Sequence, residues 1–133
     1  MTSGQEETAS LLVVSSKELT SAALEALRAS AVALGHGSSV RFECLAGLTS
    51  LDIVLMVHEC DPWNVVAVDS TAIALLKDAF ADEADALEPD NPVWVRGYLF
   101  VAVPGFEECL SDQDAKRVAW TRLKAAAHPA APY

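Results

Sequence analysis

Leu11–Val14 is an unbroken apolar run of strand length that closes on Ser15-Ser16, and behind it Leu19, Ala23, Leu27, Ala31 and Leu34 recur at helical spacing as far as Gly35 and Gly37. A short solid run is the pattern of a strand buried on both faces, and recurrence near 3.6 residues is one apolar stripe of a helix. Ser15 followed by Glu18 has capping-box spacing, so the helix is expected to start there and the glycines to stop it. Val40–Ala46 then alternates Val40, Phe42 and Cys44 against Arg41 and Glu43, which is a strand with one polar side, expected near a sheet edge and broken by Gly47.

Leu48–Cys60 is apolar enough to be read two ways. Thr49, Asp52 and Glu59 fall on one stripe of a helix while strict alternation fails, so the segment is assigned as a helix; were Ile53–Val57 a strand, Asp61-Pro62-Trp63-Asn64 would instead close a hairpin with Val65–Val68. Val65–Asp69 is the third strand, with Asp69 or Ser70 as cap of a helix that turns Ile73, Leu76, Lys77 and Phe80 inward and ends before Pro89 and Pro92. Residues 93–103 form a long β-rich stretch in which Gly97 marks a bulge or a bend between two shorter strands. Ser111 and Asp114 repeat the capping-box spacing before a last helix over 115–126, whose acids precede its bases in the sense the helix dipole favours.

Strands alternating with helices imply an α/β fold: a small three-layer α/β/α sandwich on a mostly parallel sheet of four strands, or five if Gly97 divides the last. Residues 1–9 read as a flexible leader, 10–127 as a single domain and the Pro-rich 128–133 as a flexible tail. The 133 residues suffice for one core, and a composition 52% hydrophobic and 21% charged is that of a packed domain.

The net charge of −10 opposes binding to phosphate backbones and anionic lipid, so neither nucleic acid nor membrane is an expected partner. Cys44, Cys60 and Cys109 cannot all pair with one another and have no scaffold spacing, which fits thiols in a reducing cytoplasm.

In a parallel sheet the strand ends share one edge, so Ser15, Ser16, Asp69, Ser70 and Thr71, with the Pro104-Gly105 turn, are expected along one rim as candidate ligand residues. Helix capping explains Ser15, Asp69 and Ser70 equally well. No nucleophile elbow, reactive-cysteine motif, paired metal-ligand motif or phosphate-binding glycine loop accompanies them, so no catalytic residue, metal or cofactor is assigned.

Residues 11–69, with Leu11–Val14 as first strand, a second strand running into Gly47 and Val65–Asp69 as third, resemble the first half of a response-regulator receiver domain of the flavodoxin-like type. The resemblance implies that Asp69 stands where receivers carry the phosphoaccepting aspartate. Receivers also hold Mg²⁺ with an acidic pair after the first strand, where this chain has Ser15 and Ser16, and carry a lysine on a fifth strand that has no counterpart here. What it implies is a degenerate module that is not phosphorylated in the usual way.

Leu51 and Leu55 on the very apolar 48–60 helix, together with Trp63 and Trp94, are the candidate partner surface, for another protein or a second copy of the chain. The reading that follows is a non-enzymatic regulatory or protein-interaction domain; the alternative is a small enzyme or ligand binder using the rim around Asp69.

Overall fold

The computed structural model describes residues 8–129. β1 (Leu11–Ser15) is followed by α1 (Ser21–Ala33), β2 (Val40–Cys44), α2 (Ser50–Cys60), β3 (Asn64–Ala67), α3 (Ser70–Ala79), β4 (Val93–Val95), β5 (Tyr98–Ala102), α4 (Phe106–Cys109) and α5 (Gln113–Leu123), which runs into a 3-10 turn at Lys124–Ala126. The sheet order is β2-β1-β3-β5-β4, parallel at every pairing except the antiparallel β4–β5 hairpin.

Alternation along the strands divides the core into two layers. Leu12, Val14, Val65, Ala67, Phe100 and Ala102 face α2 and α3, while Leu11, Val13, Val66 and Val101 face α1, α4 and α5. β1 and β3 are buried throughout because both have neighbours on two sides and helices on both faces. Among the described residues β2 pairs only with β1, and it is half-buried at every position, the edge place its alternating sequence predicts.

The 48–60 segment is helical, and its start is fixed by a capping box: the Thr49 hydroxyl accepts from the Asp52 N–H at 3.1 Å, and the Asp52 carboxylate accepts from the Thr49 N–H at 3.0 Å. At its other end Asp61 turns the chain in the left-handed region, with φ 50°. The two capping boxes expected from sequence, Ser15–Glu18 and Ser111–Asp114, are not formed. β1 extends through Ser15, whose hydroxyl donates to Lys17 O at 2.6 Å, and the chain needs residues 16–19 to pass from sheet to helix layer; Thr20 therefore caps α1 by accepting from Ala23 N–H. Asp112, rather than Ser111, caps α5, because the Ser111 hydroxyl donates to Glu108 O.

The sheet has five strands, since Arg96 (φ 53°) and Gly97 (φ 91°) form a two-residue turn that folds 93–102 into a hairpin. Both positive φ values belong to the tight turn whose twist matches a hairpin. The simple β-α alternation therefore fails after α3, where the acidic 82–90 stretch makes turns and leads into β4 without a parallel crossover.

Of the stretches expected to lie outside the domain, residues 1–7 and 130–133 fall outside the described residues. Ala9 N–H donates to Cys60 O, and His128 N–H donates to Leu34 O at 2.8 Å.

Candidate functional site

The four parallel strands deliver Cys44, Ser15, Val68-Asp69 and Val103-Pro104 to one edge of the sheet. Where β1 and β3 adjoin, the direction of winding reverses, and an open α/β sheet normally has its ligand crevice there. In this chain Asp69 fills the place. Its Oδ1 accepts from Ala72 N–H at 2.7 Å, capping α3, and its Oδ2 accepts from Ser16 N–H at 2.8 Å, tying the end of β1 to the start of α3. Each carboxylate oxygen is thus held by a backbone donor, which gives the side chain a fixed position and a structural task.

Ser16 contributes its backbone to this bridge, and Ser15 is buried with its hydroxyl turned to Lys17 O. Ser70 and Thr71 are exposed on the first turn of α3. The rim residues expected from sequence therefore lie at neighbouring strand ends, with Asp69 and Ser16 in direct contact.

The open space lies to either side. A cleft of about 420 Å³ sits at the ends of β1 and β2, lined by Ser15, Glu18, Phe42, Glu43 and Cys44 among others. A second, of about 390 Å³, lies beyond β5 against Pro104, Gly105, Glu108, Asp112 and Arg122. Asp69, Ser16, Ser70 and Thr71 line neither. In the first cleft, Glu18 and Glu43 disfavour an anion, while the amide dipoles at the nearby start of α1 disfavour a cation. Glu43 is already bonded to Arg41 Nε at 2.7 Å. Among the described residues no group of three or more His, Cys, Asp and Glu side chains is placed to hold a metal ion.

The candidate partner residues occupy three places. Leu51 and Leu55, 66% and 57% exposed, stand one turn apart on the outer face of α2. Trp63 lies at the opposite pole from the rim, its ring 6.1 Å from that of His128. Trp94 projects from the edge strand β4 on the side away from Val93 and Val95, which pack toward α2 and α3.

Two polar clusters went unread in the sequence. His36, Ser10 and Asn64 come together at the far pole, and Arg96, Glu83, His58 and Tyr98 form a chain beside the β4–β5 turn. The signals were slight: an Asn opening an apolar strand, and an Arg before a glycine inside a β-rich run.

No protein-family model and no curated protein matches the chain. No helix among the described residues is long and apolar enough to cross a membrane.

Proposed function

We propose that this chain is a non-enzymatic regulatory or protein-interaction domain, with the exposed Leu51–Leu55 pair on α2 as its docking point. The observation that carries the reading is the bridge at Asp69. Each oxygen of that carboxylate accepts a backbone N–H, so the side chain is held in the cap of α3 and the tie to β1 and lines neither of the two clefts beside it. On α2, by contrast, two large apolar side chains face water with Asp52 and Glu59 beside them. Such a surface suits a partner presenting apolar side chains flanked by Lys or Arg.

A receiver-like ancestry is consistent with the β2-β1-β3 order and with Asp69 following the third strand. The Ser16 N–H in front of its carboxylate, in place of an acidic pair, supports a module that does not take up phosphate. We place it in the cytoplasm, where Cys44, Cys60 and Cys109 persist as the free thiols they are here.

The decisive comparison is between L51D/L55D and Asp69→Ala. The reading expects L51D/L55D to abolish capture of a partner that the wild-type chain retains, with the fold intact by circular dichroism, and Asp69→Ala to retain that capture. A rise in melting temperature with a metabolite or with Mg²⁺, lost in Asp69→Ala, would replace it with the ligand-binding alternative. So would covalent labelling of Asp69 by a small phosphodonor.

A further inference from the structure

At the pole opposite the rim, a buried histidine is held by three segments far apart in sequence. His36 is 5% exposed, with Nε2 2.7 Å from Ala126 O and Nδ1 2.8 Å from Ser10 Oγ. A carbonyl can only accept, so Nε2 carries the hydrogen and, in the neutral ring, Nδ1 accepts the Ser10 hydroxyl. The segment supplying Ala126 continues to His128, whose N–H donates to Leu34 O and whose ring lies 5.3 Å from that of His36. Asn64 shares this site. It is 3% exposed, and its Oδ1 is buried without a hydrogen-bond partner among the described residues. Asn64 pairs in register with Leu11 and Leu99 on the face that the 3-10 turn Lys124–Ala126 covers.

Two groups under one short cover are therefore better solvated when it is lifted. Oδ1 of Asn64 gains water, which a buried orphan acceptor lacks. The cationic form of His36 gains water too. Its hydrogen bonds would survive protonation in place, because Nδ1–H could donate to Ser10 Oγ while the hydroxyl turns to Ser39 O at 3.2 Å. The penalty is burial of the charge, which holds His36 below its ordinary 6.5, with the like charge of His128 adding to it and Ala126 O and Asn64 opposing it. The groups that meet His36 are Ser10 from the lead-in to β1, Asn64 from β3, and Ala126 and His128 from the C-terminal segment, of which His128 has the ionisable side chain. Since the covered form binds fewer protons than the lifted form, the cover is held above pH 6.5 and loses stability as the pH falls from there toward the lowered value.

We propose that Lys124–His128 is an acid-released cover over His36 and Asn64, lifting as a unit while the sheet stays folded. Hydrogen exchange of the intact protein tests this at about pH 7.5 and about pH 5.5, on either side of the free-histidine value, after correction for chemical exchange. The amides of Ala127 and His128 should lose protection several-fold at the lower pH while those of β3 keep theirs. Equal protection at both values overturns the proposal, as does parallel loss in β3, which would be global acid unfolding. His36→Gln, which can still donate to Ala126 O but cannot titrate, should flatten the response; a response retained in it overturns the assignment to His36. Should His36→Gln fail to close, the wild-type protein decides: the ring-proton NMR shifts of His36 should change over the same pH range in which Ala127 and His128 lose protection, and a His36 ring still neutral where that protection is gone counts against the proposal.

Discussion

The carboxylate of Asp69 and the backbone N–H of Ser16 meet at 2.8 Å, joining the ends of two neighbouring parallel strands across 53 residues of sequence. The other oxygen of the same carboxylate caps α3 at 2.7 Å. One side chain thus spans the place where such a sheet would open a crevice, and clefts lie at the end of β2 on one side and beyond β5 on the other.

Asp69→Ala is expected to cost about 2 kcal/mol, a cap plus one backbone donor left without its acceptor. Asp69→Ser should recover the cap, since a hydroxyl reaches the third residue of the helix, but not the link to Ser16. The three proteins should therefore rank wild type, Ser, Ala in urea midpoint at constant slope. Equal midpoints for Ser and wild type would show that the Ser16 contact contributes nothing.

The strand-helix order through α3 was legible because each element there has a periodicity of its own and a punctuating residue. Its failure at the second half has one cause: Gly97 was readable as a break, but nothing local says whether the chain then bends or reverses. That choice is made by β5 pairing with β3, a long-range event, and by Arg96 accepting a left-handed conformation. The capping boxes show the same limit. Thr49–Asp52, which is not among the boxes expected from sequence, forms one, whereas Ser15–Glu18 had the same chemistry but lay too near the strand end. The Asp69–Ser16 bridge could not be read at all, since one partner is a backbone group whose position only the fold defines.

At the β4–β5 turn, Arg96 sits at φ 53° with its guanidinium forked on Glu83 (Nε–Oε1 3.0 Å, Nη2–Oε2 2.8 Å) and 5.2 Å above the Phe80 ring. Arg96→Ala loses these contacts and keeps the strained backbone, while Arg96→Gly loses the contacts and relieves the strain. Arg96→Gly should therefore melt higher than Arg96→Ala. Arg96 donates to the Glu83 carboxylate and so holds it below its usual range, and the pair's contribution is present above pH 4.5 and fades as the pH falls through the lowered value. Both groups face solvent, so about 1 M salt should remove most of that dependence.

The three thiols should separate by reactivity. Burial pushes the Cys60 thiol up, against the nearby charge of Arg41, and burial likewise raises Cys109; Cys44 is half-exposed at the edge strand. Since the thiolate is the reacting species, a disulfide reagent at about pH 8 should modify Cys44 first in the folded protein and all three at similar rates after unfolding. Peptide mapping of the first product checks the assignment, and Cys60 labelled first would contradict it.

The division between core and docking point makes the last prediction. Phe100 is fully buried at the centre of the α2–α3 layer, its ring edge-on to Phe80 at 5.1 Å, so Phe100→Ala leaves a cavity and should cost about 3–5 kcal/mol. Leu51 and Leu55 are as apolar but face water, and removing them vacates no packed volume. L51S/L55S should therefore stay within about 0.5 kcal/mol of wild type in urea unfolding. If these leucines serve a partner, the variant is stable and binding-deficient, whereas a loss of stability near that of Phe100→Ala would mean that α2 packs its outer face within the chain and is no docking point.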